Sequence, residues 1–332
     1  METSREGRLP PPPGLITSLQ AGFDVIARHV YLILLPVGLD LMLWLGPHLR
    51  IEELMRPGLR TLLALSAQSG ANSSDLSVIQ QGMQDFAHSF NMFGLLRTLP
   101  IGIPSLNYGR GLLTTPLSAP ILVEVTNPAI FLLLLAGLTI AGWLLGSLFY
   151  HWIAEVTAPA WRPGSLSRTG RSLVQGVLLC GLWALVLFAV SIPISFFLFT
   201  LALISVALAQ VALLLGLFAA MWLLPLIFFS GHGIFAYQQN AFQSIGTSFR
   251  MTRFTLPSSA LFILAALLIS EGLKFLWRVP PADSWLTLVG IAGHAFVTTA
   301  LLAASFIYYR NINSWLQVIL ERLKTQPRSI SA

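Results

Sequence analysis

The sequence lacks charge over an unusually long stretch. The 78 residues from Ser172 to Phe249 contain no Asp, Glu, Lys or Arg, and most of them are Leu, Ala, Val, Ile and Phe. The surface of a soluble domain carries many charged residues, so this stretch cannot form such a surface. A single bilayer crossing needs about 20 apolar residues. The stretch therefore has the length of two crossings joined by a tight turn.

Charge and cysteine are also scarce in the chain as a whole. Charged residues make up 10% and hydrophobic residues 55% of the 332 residues, whereas about a quarter of a soluble domain is charged. The single cysteine, Cys180, lies in an apolar run, which excludes a disulfide within the chain and is typical of a small packing residue. The common phosphate-binding, zinc-protease and serine-hydrolase motifs are absent from the sequence. We therefore expect no catalytic residues, no metal and no cofactor.

The apolar blocks predict an all-α integral membrane bundle of about six transmembrane helices. Hydropathy places the spans at about 30–47, 129–151, 173–197, 201–229, 256–277 and 285–309. By domain, the prediction is a tail with an interfacial helix (1–29), the first span (30–47), an extracytoplasmic segment (48–128), a five-span bundle (129–309) and an amphipathic tail (310–332).

The positions of the basic residues predict the orientation. With the N-terminus in the cytoplasm, twelve of the 19 Lys and Arg residues lie inside, giving the inner side a net charge of +7 and the outer side zero. An excess of Lys and Arg on cytoplasmic segments is the positive-inside rule. The sequence thus predicts cytoplasmic N- and C-termini in a plasma membrane. Because topology explains the basicity, a nucleic-acid partner is not expected.

Amphipathic segments lie beside the spans on the predicted inner side. Residues 15–27 place apolar side chains at three- and four-residue steps, which is typical of an interfacial helix; a simple extension of the first span is the alternative. The segments before the third and fifth spans are similar when Gly22, Gly170 and Gly246 are aligned. These two segments contain four arginines that are candidates for contact with the anionic lipid of the inner leaflet: Arg168, Arg171, Arg250 and Arg253.

Asp40 is the clearest ionisable residue within a predicted span. Such a group costs several kcal/mol by most scales, about 3 or more, and is a functional candidate by default. Gln210 and His294 come to a similar depth in the fourth and sixth spans. One hypothesis is that the three share a polar contact in the bundle interior, with Asp40 and His294 as a pair. In the alternative, Asp40 lies near the outer interface and is solvated or caps a turn before Gly46.

Three stretches resemble a known family pattern. They are residues 229–233 (Phe-Ser-Gly-His-Gly), 240–244 (Asn-Ala-Phe-Gln-Ser) and 248–254 (Ser-Phe-Arg-Met-Thr-Arg-Phe). Over about residues 160–310 the chain resembles the membrane domain found beside glycerophosphoryl diester phosphodiesterases, and related six-helix membrane families of bacteria. The resemblance implies a bacterial membrane-embedded helical bundle. In that family the phosphodiesterase activity belongs to a separate soluble domain, which this chain does not contain, so the activity is not carried over.

Two classes of function remain, and an intramembrane enzyme comes third. The first is a non-catalytic membrane protein that acts as a scaffold, an accessory or a lipid-interacting bundle, alone, as a homo-oligomer or with another membrane protein. The second is a transporter or permease subunit for a small solute or lipid, which Asp40 and the prolines within spans, Pro193 and Pro225, favour.

Overall fold

The described part of the chain is mostly helical, and its α-helices range from six to 39 residues in length. The computed structural model describes residues 13–68, 73–110, 114–117, 119–159 and 166–325. The helices are α1 (Leu15–Arg28), α2 (Leu34–Leu45), α3 (Glu52–Gln68), α4 (Ser73–Ser89), α5 (Pro128–Val156), α6 (Leu166–Ile204), α7 (Val206–Met221), α8 (Leu224–Phe229), α9 (His232–Tyr237), α10 (Ala241–Trp277) and α11 (Thr287–Thr325). Short 3₁₀ helices cover Val30–Ile33 and Met92–Leu96. Two three-residue strands, β1 (His48–Arg50) and β2 (Leu122–Glu124), pair in parallel, with His48 opposite Leu122.

Length and composition make several of these helices able to cross a membrane. Among the described residues, four single helices qualify, namely α5, α6, α10 and α11 up to Arg322, and the number rises to six if each of two bent helix pairs counts as one span. The pairs are Leu15–Arg28 with Val30–Leu45, and Val206–Met221 with Leu224–Tyr237. The predicted all-α class is therefore confirmed, together with the presence of four to six helices that are long and apolar enough to cross a membrane.

One helix boundary and one strand pair differ from the sequence prediction. The predicted tail at 310–332 does not begin a new helix, because α11 continues from Thr287 to Thr325. The prediction ended the span at the polar run after Tyr309, but Asn313 remains helical and donates from its side chain to the carbonyl of Tyr309 at 2.8 Å. The β1–β2 pair inside the 48–128 segment was not predicted, since three-residue strands are too short to give a periodic signal.

The chain divides into two compact units. The first unit contains the residues up to His29, Tyr150–Ile269 and the residues from Ala300 on. Its core consists of aromatic and aliphatic side chains around Phe229, Phe262 and Tyr308, and the rings of Phe262 and Tyr308 stack at 4.5 Å between centroids. The second unit contains Val30–Phe149 and Ser270–Thr299. One of its cores forms around Trp44, Leu106 and Ile291, and another around Ile51, Met92 and Val125.

Within the first unit, α1 packs on α11 through small residues. Ser18, Gly22 and Ile26, four residues apart, are its buried positions. A Cβ atom at Gly22 would lie 2.5 Å from the backbone nitrogen of Ala304 and 2.6 Å from the carbonyl oxygen of Ala300. Only glycine allows this approach. The predicted apolar face is only partly covered by protein, as Ile16 is 68% exposed.

Candidate functional site

In the second unit, Asp40 accepts hydrogen bonds from a loop that follows a proline-rich turn. Its carboxylate is fully buried and accepts from the hydroxyl of Ser105 at 2.5 Å and from the backbone nitrogens of Leu106 and Asn107 at 2.9 Å each. The side-chain amide of Asn107 also donates to the backbone carbonyl of Asp40 at 3.3 Å. Charge-assisted bonds of this kind are roughly twice as strong as neutral ones. The carboxylate therefore fixes the backbone of residues 105–107 against α2.

Two arginines hold the same loop from its other side. Arg278 donates through Nε at 3.1 Å and through Nη2 at 2.5 Å to the carbonyl of Leu106, and through Nη2 at 3.2 Å to that of Tyr108. Arg110 donates through Nη2 to the carbonyls of Arg278 and Pro280, at 3.2 and 2.8 Å. Burial lowers the pKa of Arg110 from its usual value, but a guanidinium remains charged at any physiological pH. Residues 105–110 are thus held by one carboxylate and two guanidinium groups.

Asp40 and His294, two of the three residues predicted to share a polar contact, both belong to the second unit, and Gln210 belongs to the first. Within the described residues, Asp40 accepts no hydrogen bond from His294, which is 4% exposed and accepts at its own carbonyl from Thr298 at 2.7 Å. Gln210 is exposed on α7, a helix without a buried residue, and so does not face an interior. The alternative, that Asp40 caps a turn, describes its role better. The turn that it caps is the one at 105–108, not the one before Gly46, and Asp40 is buried, not solvated.

In the first unit, the stretches that carry the family resemblance contact each other. Ser244 donates to the carbonyl of Ser230 at 2.5 Å, and Ser248 donates to the carbonyl of Phe229 at 2.8 Å. The indole nitrogen of Trp183 donates to the hydroxyl of Ser230 at 3.1 Å. These serines donate to carbonyls at the end of α8, the part of a helix whose last carbonyls lack partners within the helix. Their chemistry is structural.

His232 lies at the centre of this part of the first unit. It is fully buried, and its Nε2 is 2.8 Å from the hydroxyl of Ser305. Aromatic rings surround it, with the ring of Phe306 at 4.4 Å and that of Phe229 at 5.2 Å between centroids. The structure thus makes His232 a core residue. No sequence pattern pointed to its partner, because Ser305 is 73 residues further along the chain.

The four predicted lipid-contact arginines are exposed. Arg168 and Arg171 lie in the first turns of α6, and Arg250 and Arg253 lie in the third and fourth turns of α10. The same helices bury small residues on another face, at Ser172 and Gly176 in α6 and at Ser244 and Ser248 in α10. Each helix therefore packs through one face and presents two guanidinium groups on its exposed side.

Arg310 provides a contrast with these four. It donates to the hydroxyl of Thr157 at 2.9 Å and to the carbonyl of Ala154 at 2.7 Å, at the C-terminal end of α5. A cation at a helix C-terminus complements the dipole there. This arginine is therefore used within the first unit, although the sequence places it beside the same predicted surface.

Within the described part of the chain, no cluster of three or more His, Cys, Asp or Glu residues could hold a metal ion. Comparison of the chain with protein-family models, with curated proteins and with solved structures found no match.

Proposed function

We propose that this chain is a six-span protein of a bacterial plasma membrane with both termini in the cytoplasm, and that its role is non-catalytic. It acts as a scaffold or accessory bundle whose inner surface binds anionic lipid. The main support for this proposal is that α6 and α10 each have a pair of exposed arginines. Near an anionic leaflet each such residue contributes about 1 kcal/mol of attraction.

The geometry of Asp40 adds support. An ionisable residue within a span favours transport when it faces a solute pathway. Here its carboxylate oxygens accept three hydrogen bonds from residues 105–107, and this role is structural. The feature of the sequence that most favoured transport is thus accounted for by loop anchoring.

The test compares matched pairs of arginine substitutions. The protein is purified from membranes in mild detergent, and the retained phospholipids are identified by mass spectrometry. We expect Arg168→Gln/Arg171→Gln and Arg250→Gln/Arg253→Gln each to lower the ratio of anionic to zwitterionic lipid. The control is Arg56→Gln/Arg60→Gln, an exposed pair on α3 and the predicted outer side, which should leave the ratio unchanged. Equal ratios in all variants would refute the lipid-binding role.

Transport is the second candidate, and helix breaks favour it. α7 and the pair α8–α9 bend by 41°, and α10 has non-helical torsion angles at Thr255. Broken helices occur at the substrate sites of secondary transporters. Protein-dependent movement of a fluorescent phospholipid between leaflets of sealed proteoliposomes, abolished by Pro257→Ala, would favour this function over the scaffold.

A further inference from the structure

An apolar groove of about 400 Å³ runs along the first unit between α7–α8 and α10. Its volume is within the range of small-molecule sites, about 300–1,000 Å³. Its walls are almost entirely apolar. They are formed by Met221, Trp222 and Pro225 on one side and by Leu256, Pro257 and Ala260 on the other.

The groove exists because both of its walls bend at the same level. Pro257 has no backbone N–H to offer to the preceding turn, and Thr255 takes φ −126° and ψ 22°. The Thr255 hydroxyl lies 2.7 Å from the carbonyl of Met251, to which it donates, and Ser258 donates to the carbonyl of Thr255 at 3.0 Å. On the other wall, α7 and the pair α8–α9 bend by 41°, beside Pro225. The groove is therefore built into the backbone, as binding sites usually are.

The direction of α10 places Arg253 towards one end of this groove. The α8 and α10 segments run antiparallel, because Ser248 bonds to Phe229 whereas residues 256–260 line the groove with residues 218–225. Arg253 falls between these two levels, about 4.5 Å along the helix axis from Leu256. It is exposed, and its guanidinium carbon is 6.0 Å from the centroid of the Phe254 ring. Among the described residues it forms no ion pair.

We propose that this groove binds one acyl chain of an anionic glycerophospholipid and that Arg253 binds the phosphate of the same molecule. The apolar walls match a hydrocarbon chain, and the cation at the end of the groove matches a headgroup with net negative charge. The proposal rests on the proposed function, lipid binding at the inner surface, and deepens it by naming one site and its ligand class.

The test uses Trp222 as a reporter of acyl-chain contact. The protein is reconstituted into vesicles of unlabelled phosphatidylcholine containing a minor fraction of phosphatidylglycerol or phosphatidylcholine brominated on the acyl chain. Bromine in contact with an indole quenches its fluorescence. The contribution of Trp222 is the difference between the wild-type protein and Trp222→Phe. We expect brominated phosphatidylglycerol to quench it at a concentration about two- to fivefold lower than brominated phosphatidylcholine, as suits one exposed ion pair.

Two further variants separate the headgroup from the acyl chain. Arg253→Gln should remove the preference for phosphatidylglycerol, whereas Arg28→Gln, which changes an exposed arginine of α1, should keep it. Ala260→Phe, which fills the groove, should reduce quenching by both lipids. If thermal unfolding shows that Ala260→Phe does not fold, Ala260→Leu takes its place. The proposal is overturned if the two brominated lipids quench Trp222 equally in the wild-type protein, or if filling the groove leaves quenching unchanged.

The outcomes also distinguish this proposal from the function on which it rests. If Arg168→Gln/Arg171→Gln changes the copurified lipid but Trp222 shows no headgroup preference, the groove is not the site and the lipid-binding role stands. If Trp222 shows the preference but Arg168→Gln/Arg171→Gln leaves the copurified lipid unchanged, the groove proposal stands and the wider role fails.

Discussion

The carboxylate of Asp40 accepts a 2.5 Å hydrogen bond from the hydroxyl of Ser105, a residue 65 positions further along the chain. The same serine hydroxyl accepts from the backbone nitrogen of Tyr108 at 3.1 Å. A side chain of α2 and the turn at 105–108 are therefore connected by one continuous set of hydrogen bonds. A buried polar network of this kind stabilises a unique arrangement when all of its members have partners.

We expect Asp40 and Ser105 to be energetically coupled. Ser105→Ala should lower the free energy of unfolding by about 1–3 kcal/mol, because a hydrogen bond to a charged group is lost. Asp40→Asn should lower the free energy of unfolding by at least as much, since the new side-chain amide nitrogen would face hydrogen-bond donors. The double variant should show a coupling of about 0.5–3 kcal/mol, measured by thermal or denaturant unfolding in detergent.

Two controls accompany this double-mutant cycle. Asp24→Asn changes an exposed carboxylate of α1 and should be nearly neutral. The cycle of Asp40→Asn with His294→Ala should show little coupling, because no hydrogen bond joins the two side chains. Strong coupling to His294 and none to Ser105 would restore the pair expected from the sequence and refute the loop anchor.

The membrane-length helices could be predicted from the sequence, whereas the hydrogen-bond partners of Asp40 could not. Apolar blocks of 20 residues or more give a strong signal, so the predicted span at 129–151 lies within α5 at Pro128–Val156. The partners of Asp40 lie in a segment with no periodic pattern. A hydrogen bond to backbone nitrogens carries no residue preference at all. Only the tertiary structure could identify Leu106 and Asn107 as donors.

The three glycines that were aligned in the sequence differ in their surroundings. Gly22 is tightly packed, but Gly170 and Gly246 are exposed, and a Cβ at either would meet nothing within 4 Å. Composition alone does not reveal which face of a helix is buried. The buried positions instead share a four-residue spacing of small residues; they are Ser18 and Gly22, Ser172 and Gly176, and Ser244 and Ser248.

This difference between glycines gives a matched prediction. Gly22→Ala should destabilise the protein by about 1–3 kcal/mol, because the new methyl group would lie 2.6 Å from the side chain of Ala304. Gly246→Ala is the control, and it should stabilise α10 by about 0.5–1 kcal/mol. Thermal unfolding compares the two variants. Equal effects of the two substitutions would show that α1 does not pack on α11 through Gly22.

His48 should make stability depend on pH. It is 6% exposed, and its Nε2 is 3.1 Å from the carbonyl oxygen of Leu43. Burial, with a smaller contribution from the charge of Arg50, lowers the pKa of His48 below its usual value of 6.5. The unfolded chain therefore binds a proton more readily than the folded protein. The stability that His48 contributes is complete above pH 6.5 and is lost as the pH falls below it.

The measurement is the difference in unfolding temperature between the wild-type protein and His48→Gln from pH 8 to pH 5. The wild-type protein should lose stability more steeply on acidification, because glutamine can donate to Leu43 without titrating. His29→Gln, which replaces a histidine that is not fully buried, controls for general effects of histidine replacement. Parallel curves for wild type and His48→Gln would contradict the assignment.

The proposed orientation can be tested by replacing two glutamines, one at a time, with cysteine. In a Cys180→Ala background, Gln84→Cys on α4 and Gln317→Cys on α11 each place a thiol at an exposed position. Positive-inside topology puts residue 84 outside and residue 317 in the cytoplasm. A membrane-impermeant maleimide should therefore label Gln84→Cys in intact cells and Gln317→Cys only after permeabilisation. The reverse pattern would invert the orientation and place the four arginines of α6 and α10 on the outer side, where the anionic lipid of the inner leaflet could not reach them.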